Sequence, residues 1–486
     1  MVKATTVRAS AVTTLVFQWG TYVLQLVSLV VLARILLPAD YGLLTMAAAL
    51  IGIAAVIGDF GLSLAAIQAT HLTQQQKSNL FWLNTGIGIG IGSVVAGASP
   101  LIAAFYDEPR LVPVTVLLGA VFALNGAAVQ FKVELNRALR FRALGATDLG
   151  SQAVALLVAI VLATAGFGYW ALVAQQLVAA LTALVIAVGT SRWRPTRPGA
   201  FHDTRPLLAF GRDTLLVQVT NYVTSNIDSV MVGRWSGPVS LGIYNRAYQV
   251  TVMPILQIVA PLTRVFLPRL SAAAAAEREG GTEGEFLELL TRLQLIIVYV
   301  TTAPLSLLCA LSASFPVVVF GPRWQPMGEL IPVLAIAAFF GILGYIYYWA
   351  FLAKARTMTL FFAEIGGRIP MAVLIVSFAP LGPIWVAASV ATGQMLIWAL
   401  STFIFGGRIG VPSAPMLRTA GRPVLLFVGA LAGGVITRDL LAGGMAPLPA
   451  MLVTAAGWLV AASVGLAVKP VRRDLRTIAA NIRPVS

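Results

Sequence analysis

The chain has 486 residues, of which 58% are hydrophobic and only 10% are charged. A soluble globular domain carries about 25% charged residues, and no stretch here is polar enough to form a large soluble domain. The formal charge of +15 would suggest nucleic-acid binding in a soluble protein, but in a membrane protein it indicates basic cytoplasmic loops. The single cysteine excludes a disulfide within the chain, and two histidines far apart in sequence provide no basis for a metal site.

Apolar runs of about 20 residues recur along the whole chain, which predicts an all-α polytopic membrane protein. Breaks at proline, glycine and charged clusters divide these runs into predicted transmembrane helices, numbered here in chain order. The fourteen predicted helices cover residues 12–36, 41–66, 79–105, 111–131, 148–166, 168–190, 207–234, 239–265, 286–313, 329–352, 358–379, 383–406, 420–438 and 447–468.

The distribution of basic residues predicts the topology. With the N-terminus in the cytoplasm, 27 of the 33 Lys and Arg residues fall on the cytoplasmic side. A missing or extra helix midway would invert every later loop and destroy this asymmetry, so both termini are predicted to be cytoplasmic. Every predicted outer loop is short, which leaves no room for an extracytoplasmic catalytic domain. The six outer residues are Arg34, Arg110, Arg234, Arg246, Arg323 and Arg438.

Two polar stretches interrupt the apolar pattern. Residues 191–206, SRWRPTRPGAFHDTRP, are basic and proline-rich and predict a cytoplasmic linker. Residues 271–288 predict a flexible cytoplasmic loop with a helical start. The predicted organisation is an N-terminal lobe of helices 1–6 (1–190), the linker (191–206), a C-terminal lobe of helices 7–12 (207–406), and helices 13–14 with a basic cytoplasmic tail (407–486).

The sequence contains an internal repeat with an offset of 200 residues. Residues 18–42 match residues 218–242 without gaps at seven of 25 positions, whereas composition alone would produce about two matches. Such a repeat predicts two lobes related by a pseudo-two-fold axis around a central cavity, as in transporters built from parallel repeats. The matched pairs are Gln18/Gln218, Tyr22/Tyr222, Val23/Val223, Val30/Val230, Arg34/Arg234, Pro38/Pro238 and Gly42/Gly242.

Polar residues recur at helical spacing on helices 1, 7 and 8. Polar stripes facing lipid are unfavourable, so the stripes are expected to face inward. Each residue alone could bond a neighbouring helix, but three stripes on the first and second helices of the repeats favour a polar cavity. The stripes comprise Gln18, Tyr22, Gln25 and Ser28; Thr214, Gln218, Asn221, Ser225 and Asp228; and Asn245, Gln249 and Gln257 with Arg264 near the inner end.

Charged residues within or at the ends of helices are candidate transport residues. Arg34 and Arg234 lie at outer helix ends, where they can also snorkel or cap the helix. Arg246 and Asp228 lie within helices, and Asp228 can form a structural ion pair with Arg234 or Arg246. A guanidinium group in a cavity binds phosphate well, and Asp228 or Asp59 can take up a proton or Na⁺ to couple transport. No other cofactor is expected.

Glycines at positions 86, 88, 90 and 92 do not match a nucleotide-binding motif. The spacing differs from G-x-G-x-x-G, and no strand precedes it. All four glycines are predicted to serve close helix packing.

Three segments resemble Wzx-like oligosaccharide flippases of the multidrug/oligosaccharidyl-lipid/polysaccharide superfamily. They begin VFQWGTYVLQLVSLVVLARILLPADYG, FGRDTLLVQVTNYVTSNIDSVMVGRWSG and GFGYWALVAQQLV. The resemblance implies two six-helix lobes around a cavity, often with two further helices. It also implies flipping of a polyprenyl-pyrophosphate-linked oligosaccharide from the inner to the outer leaflet of the bacterial cytoplasmic membrane. The polar stripes and the repeat lead to the hypothesis that the two lobes rock and so give alternating access. The family pattern D-x-x-x-x-G-x(8)-G-x-Y falls on Asp228, Gly233, Gly242 and Tyr244.

The expected partners are the lipid-linked glycan, the bilayer, and a polysaccharide polymerase with glycosyltransferases; nucleic acid is not expected. A lipid II-type flippase and a cation-coupled drug or metabolite antiporter of the same superfamily are the alternatives. An antiporter usually has twelve helices and an acid-rich N-terminal cavity, whereas Asp59 is the main candidate acid here. A polymerase or ligase would show a long outer loop, and a scaffold would not need polar stripes.

Overall fold

Helices make up almost all of the described chain, and no strand occurs in the part that the structure describes. The computed structural model describes residues 4–59, 72–199, 205–280 and 284–482. Side chains are described for residues 16–56, 72–199, 222, 224–259, 262–280 and 284–476.

Fifteen helices of 14 or more residues follow one another in the described chain, and a five-residue helix, Phe315–Val319, lies between the ninth and the tenth. In chain order they are α1 (Ala4–Ile35), α2 (Pro38–Asp59), α3 (Gln74–Tyr106), α4 (Leu111–Arg137), α5 (Phe141–Thr164), α6 (Tyr169–Thr190), α7 (Arg205–Thr251), α8 (Met253–Arg278), α9 (Glu285–Ala310), α10 (Met327–Ala353), α11 (Thr357–Phe378), α12 (Pro383–Ala399), α13 (Ser413–Leu441), α14 (Pro447–Leu466) and α15 (Lys469–Ile482).

Twelve helices of the described chain are long and apolar enough to cross a membrane. They correspond to predicted helices 1–6 and 9–14, so the predicted class of polytopic helical membrane protein is confirmed. The bent pair Thr224–Val259 and Leu262–Arg278 raises the number to as many as 13. The predicted number of fourteen is therefore approximate.

The predicted eighth helix, 239–265, is divided by a turn at Val252, since α7 ends at Thr251 and α8 begins at Met253. The predicted break between residues 234 and 239 lies at Gly237, which has a φ of 76° and directly precedes Pro238. Proline lacks a backbone N–H and disrupts the preceding turn, and the glycine accommodates the positive φ. A second helical segment follows Gly237 and ends at Thr251, so the predicted break is present in the structure.

The chain divides into two compactly packed units, Met1–Gly242 and Ile243–Ser486. In the first unit, α3 and α4 approach closely through glycines. A Cβ atom added to Gly88 would lie 2.4 Å from the Phe122 carbonyl oxygen, and one added to Gly92 would lie 2.4 Å from that of Gly119. Gly86 and Gly90 have no such neighbour within 4 Å. The packing prediction holds for Gly88 and Gly92 but is wrong for the other two, because residues two apart face different sides of a helix.

The first part of the predicted linker, residues 191–199, is fixed to α3. Ser78 Oγ accepts a hydrogen bond from the Thr196 amide at 3.0 Å, and Asn79 Oδ1 accepts one from the Gly199 amide at 2.8 Å. The Trp82 indole N–H donates to the Thr196 carbonyl oxygen at 2.8 Å. This segment lacks secondary structure, so side chains of α3 satisfy its backbone polar groups.

In the second unit, α10 lies at the centre of the core and packs against α8, α9 and α12. Trp349 is fully buried on α10, and its indole N–H donates to Thr263 Oγ1 on α8 at 3.0 Å. The α13 and α14 helices pack against α9. There, the Trp458 indole N–H donates to Ser306 Oγ at 3.1 Å, and its ring stacks on Phe427.

The predicted flexible loop 271–288 contains more structure than expected. Helix α8 extends to Arg278, and α9 already begins at Glu285. Glu277 Oε1 accepts hydrogen bonds from the amides of Gly284 and Phe286, each at 3.1 Å, and so caps the start of α9. The ends of the loop are therefore ordered, while residues 281–283 lie outside the described residues.

Candidate transport site

The two copies of the repeat contact each other. A Cβ atom added to Gly42 would lie 1.8 Å from the Pro238 carbonyl oxygen, and one added to Gly242 would lie 1.9 Å from that of Pro38. Each copy thus places its glycine against the proline carbonyl of the other copy. We call Pro38, Gly42, Pro238 and Gly242 the glycine crossing. Only glycine permits this approach, because any Cβ atom would overlap with backbone.

The helix before the crossing also packs closely against its neighbours within the first unit. The Tyr222 hydroxyl donates to the Ala48 carbonyl oxygen of α2 at 3.0 Å. A Cβ atom added to Gly52 would lie 1.8 Å from that hydroxyl oxygen. A Cβ atom added to Gly233 would lie 2.9 Å from Tyr106 Cε1. At two positions of the quoted family pattern, Gly233 and Gly242, an added Cβ atom would therefore overlap with a neighbouring residue.

The repeated arginines lie next to the crossing in sequence and are both exposed. Arg34 is in the last turn of α1, and Arg234 lies one turn before the kink in α7. The Arg234 guanidinium lies 5.6 Å from the centroid of the Trp235 ring. Arg34 also interacts with other groups of the protein. Both side chains keep exposed surface that can meet a ligand or a lipid head group.

Sequence reasoning missed Asp40, which stabilises the turn between α1 and α2. Its Oδ2 atom accepts a hydrogen bond from the Leu37 amide at 2.8 Å, and the residue is buried. An acid in the first turn of a helix also interacts favourably with the helix dipole. The available signal was an aspartate two residues after Pro38, which is typical of a helix start.

The polar stripe of α1 is largely uncovered. Gln18 and Gln25 are exposed, and Tyr22 is half-buried. Ser28 Oγ accepts a hydrogen bond from Gln175 Nε2 of α6 at 3.0 Å. Apolar side chains of α1 are exposed as well, including Trp19 at 63%. Thus α1 displays both polar and apolar surface, and within the described residues Ser28 bonds a neighbouring helix.

In the second unit, polar residues after the crossing form a hydrogen-bonded row. The Arg246 guanidinium donates to Gln249 Oε1, and Gln249 Nε2 donates to Asn245 Oδ1 at 2.8 Å. The two side chains therefore orient the guanidinium group. Arg264, further along on α8, is exposed.

Of the two predicted acidic residues, only Asp228 has a side chain among the described residues. Asp228 is buried, and its Oδ1 atom accepts a hydrogen bond from the Ser229 amide at 2.7 Å. Asp228 also interacts with other groups of the protein. Ser225, on the same stripe, is exposed. The side chains of Asp59, Thr214, Gln218 and Asn221 lie outside the described residues.

Two ion pairs between neighbouring helices also escaped the sequence reasoning. Lys77 of α3 pairs with Glu134 of α4 at 2.6 Å, and Lys132 of α4 pairs with Asp148 of α5 at 2.8 Å. In each pair, the opposite charges neutralise each other near the ends of apolar helices. Among the described residues, no group of three or more His, Cys, Asp or Glu residues is arranged to hold a metal ion.

Comparisons with known proteins agree with this architecture. The family model described as polysaccharide biosynthesis protein matches residues 31–329. Teichuronic acid biosynthesis protein TuaB of Bacillus subtilis is 28% identical over 72% of this chain and 73% of its own length. Lipopolysaccharide biosynthesis protein WzxC of Escherichia coli is 28% identical over 66% of this chain and 64% of its own length.

Solved structures with the same fold include transporters. The lipid II flippase MurJ in an inward closed conformation aligns with a TM-score of 0.72, covering 96% of this chain and 99% of MurJ at 12% identity. An inward-facing multidrug transporter of the MATE family aligns with a TM-score of 0.59, covering 80% of this chain and 94% of the transporter at 16% identity. The two TM-scores show similarity of fold, and at these low identities they show the fold alone. Since the family model covers more than half of the chain, this protein belongs to the polysaccharide biosynthesis protein family.

Proposed function

We propose that the protein is a flippase that moves a polyprenyl-pyrophosphate-linked oligosaccharide across the bacterial cytoplasmic membrane by alternating access. The family, the relatives named for polysaccharide biosynthesis and the MurJ-like fold support this function. The charge asymmetry of the loops favours a cytoplasmic location for both termini. Translocation requires no covalent change of the substrate, so the proposal does not include an enzymatic step.

The observation that carries the proposal is the glycine crossing. Two equivalent segments of the repeat pack on each other without intervening side chains at Gly42 and Gly242. In the proposed orientation the crossing lies at the outer ends of the helices and closes the outward route. Parting of the two segments would open that route, and an interface with two discrete packings is the kind of element that supports alternating access.

Four arginines provide the proposed anion path: Arg34, Arg234 and Arg264 are exposed, and Arg246 is half-buried. A guanidinium group can bind a pyrophosphate through two parallel hydrogen bonds and remains charged at every relevant pH. Arg264 would attract the substrate from the cytoplasm, Arg246 would hold it, and Arg34 and Arg234 would lie on the outward route. Gln18, Tyr22, Gln25, Gln218, Asn221, Ser225, Asn245 and Gln249 would contact the sugars. Asp228 and Asp59 are the proposed sites for a coupling proton or Na⁺, and the polymerase and glycosyltransferases are proposed partners.

A lipid II-type flippase remains the second candidate, favoured by the fold similarity to MurJ. The two functions differ in substrate only, so substrate accumulation separates them. Deletion of the gene should cause a polyprenyl-linked oligosaccharide to accumulate on the cytoplasmic face. Accumulation of the peptidoglycan precursor instead would favour the second candidate, and accumulation of neither would contradict both.

Site variants test the anion path separately. We expect Arg246→Ala to lower export about 10-fold or more, because a hydrogen bond to a charged group contributes about 1.5–3 kcal/mol. Asp228→Ala should abolish any dependence of transport on an ion gradient. Arg323→Ala is the matched control, since this arginine lies in a predicted outer loop away from the polar stripes. Normal export by both site variants at normal expression would show that the site assignment is wrong.

A further inference from the structure

The last described helix, α15, has two chemically opposite faces. At about 100° per residue, positions i, i+3, i+4 and i+7 share one face of a helix. The basic residues of α15 follow this spacing, and all four are exposed: Lys469, Arg472, Arg473 and Arg476. The opposite face carries the buried residues Val471 and Asp474.

The buried face attaches α15 to the helices of the second unit. Asp474 Oδ1 accepts a hydrogen bond from the Arg422 guanidinium of α13 at 2.8 Å. The Tyr299 hydroxyl of α9 donates to Asp474 Oδ2 at 3.3 Å. Val471 is 6% exposed and belongs to a core cluster that includes Phe427 of α13. These contacts fix the rotation of α15 about its axis, so that the basic face points away from the helices that hold it.

The position of α15 in the chain places it at the membrane surface. It begins at Lys469, and α14, which is apolar enough to span a membrane, ends at Leu466. Leu466 and Val468 are exposed apolar residues immediately before the basic face. A helix that starts within one turn of the end of a transmembrane helix starts at the depth of the lipid head groups.

We propose that the basic face of α15 is a binding surface for the anionic phospholipid head groups of the adjacent leaflet. Charge complementarity selects this ligand, since four cationic groups within two helical turns face a surface that carries negative charge. The Asp474 contacts hold the face in position before lipid binds. The surface would couple the end of the transmembrane bundle to the lipid composition around it. This inference does not depend on the transported substrate.

The test uses the full-length protein in nanodiscs of phosphatidylcholine, with or without about 30% phosphatidylglycerol. Hydrogen exchange of the amides of residues 471–476 is measured at low and high salt. Phosphatidylglycerol should slow exchange about 10-fold or more at low salt, because each cationic residue near an anionic surface contributes about fivefold. The effect should weaken at high salt, where charges are screened.

Matched variants separate a local effect from net charge. K469Q/R472Q/R476Q should lose the response to phosphatidylglycerol. The control R142Q/R192Q/R197Q removes the same amount of charge from exposed arginines of the first unit. This control should keep the response to phosphatidylglycerol. Asp474→Asn should speed exchange in both nanodiscs yet retain the response. Equal responses of the two triple variants, or a response only after addition of a polyprenyl pyrophosphate, would overturn the proposal. Loss of the response in Asp474→Asn would assign it to the ion pair and also overturn the proposal.

Discussion

Replacement of Gly42 by alanine tests whether the glycine crossing is both close-packed and able to part. The new Cβ atom would lie 1.8 Å from the Pro238 carbonyl oxygen, while ordinary contacts begin near 3.4 Å. The two segments would therefore have to separate by about 1.6 Å. Overpacking of this kind costs about 1–3 kcal/mol. Alanine favours helix over glycine by about 1 kcal/mol, so any loss must come from the crossing.

The strain should favour whichever arrangement separates the two segments. A cost of about 1–3 kcal/mol in the closed arrangement shifts the closed-to-open ratio about 5- to 150-fold. Spin labels at Leu37→Cys and Val239→Cys in a Cys309→Ala background report this shift, because both positions are exposed and flank the crossing. Pulsed electron resonance should show a longer distance population in Gly42→Ala than in the parent protein.

Two comparisons make the result decisive. Gly90→Ala is the control, since this helical glycine has no neighbouring atom within 4 Å of an added Cβ atom, and its distances should not change. Gly242→Ala should act like Gly42→Ala, because the two contacts are reciprocal. The double variant should lose less stability than the two single variants together, because one separation of the segments relieves both overlaps. Unchanged distances and thermal stability in both single variants would refute the close contact.

Three further changes test other parts of the fold. Glu277→Ala should lower the stability of the second unit by about 1–2 kcal/mol in thermal unfolding, since it removes both capping hydrogen bonds at the start of α9. Ser78→Ala should speed amide exchange in residues 191–199, whereas the exposed Ser93→Ala should leave it unchanged. The Arg110 guanidinium lowers the pKa of the Glu108 carboxyl group. The pair therefore stabilises the folded state at pH values above the ordinary carboxyl pKa, and this stabilisation is lost as the pH falls through the lowered pKa. Glu108→Gln should therefore lower the free energy of unfolding by up to about 1 kcal/mol near pH 7, and this difference should vanish as the pH falls through the lowered pKa of Glu108.

Most helix positions were predictable because hydrophobic length and helix-terminal residues act locally. The start of α3 was predicted five residues late, at 79 instead of Gln74, although Thr73 and Gln76 form a reciprocal capping box that the sequence encodes within four residues. The kink at Gly237 and Pro238 was also visible as a break. The turn at Val252 was not predicted, although Pro254 lies in the first turn of α8.

The site was predictable in composition but not in contacts. The repeat identified Gly42 and Gly242 as equivalent, yet equivalence in sequence does not reveal that the two segments touch. The spacing of the polar stripe on α1 predicted a common face, but whether Gln18 is exposed and Ser28 is bonded depends on where α6 lies. The role of Glu277 required knowledge that the chain turns back, since the residues that it caps lie seven and nine positions away.

The most direct test of the proposed function is translocation by the purified protein in vesicles. The lipid-linked oligosaccharide that accumulates in a deletion strain is incorporated with the protein into proteoliposomes, and its exposure on each leaflet is followed with an impermeant sugar-cleaving enzyme. We expect the wild-type protein to expose the inner pool over time, and Gly42→Ala/Gly242→Ala to change that rate, while protein-free vesicles keep the inner pool protected. Equal protection with and without the wild-type protein, under every ion gradient applied, would contradict the assignment as a flippase.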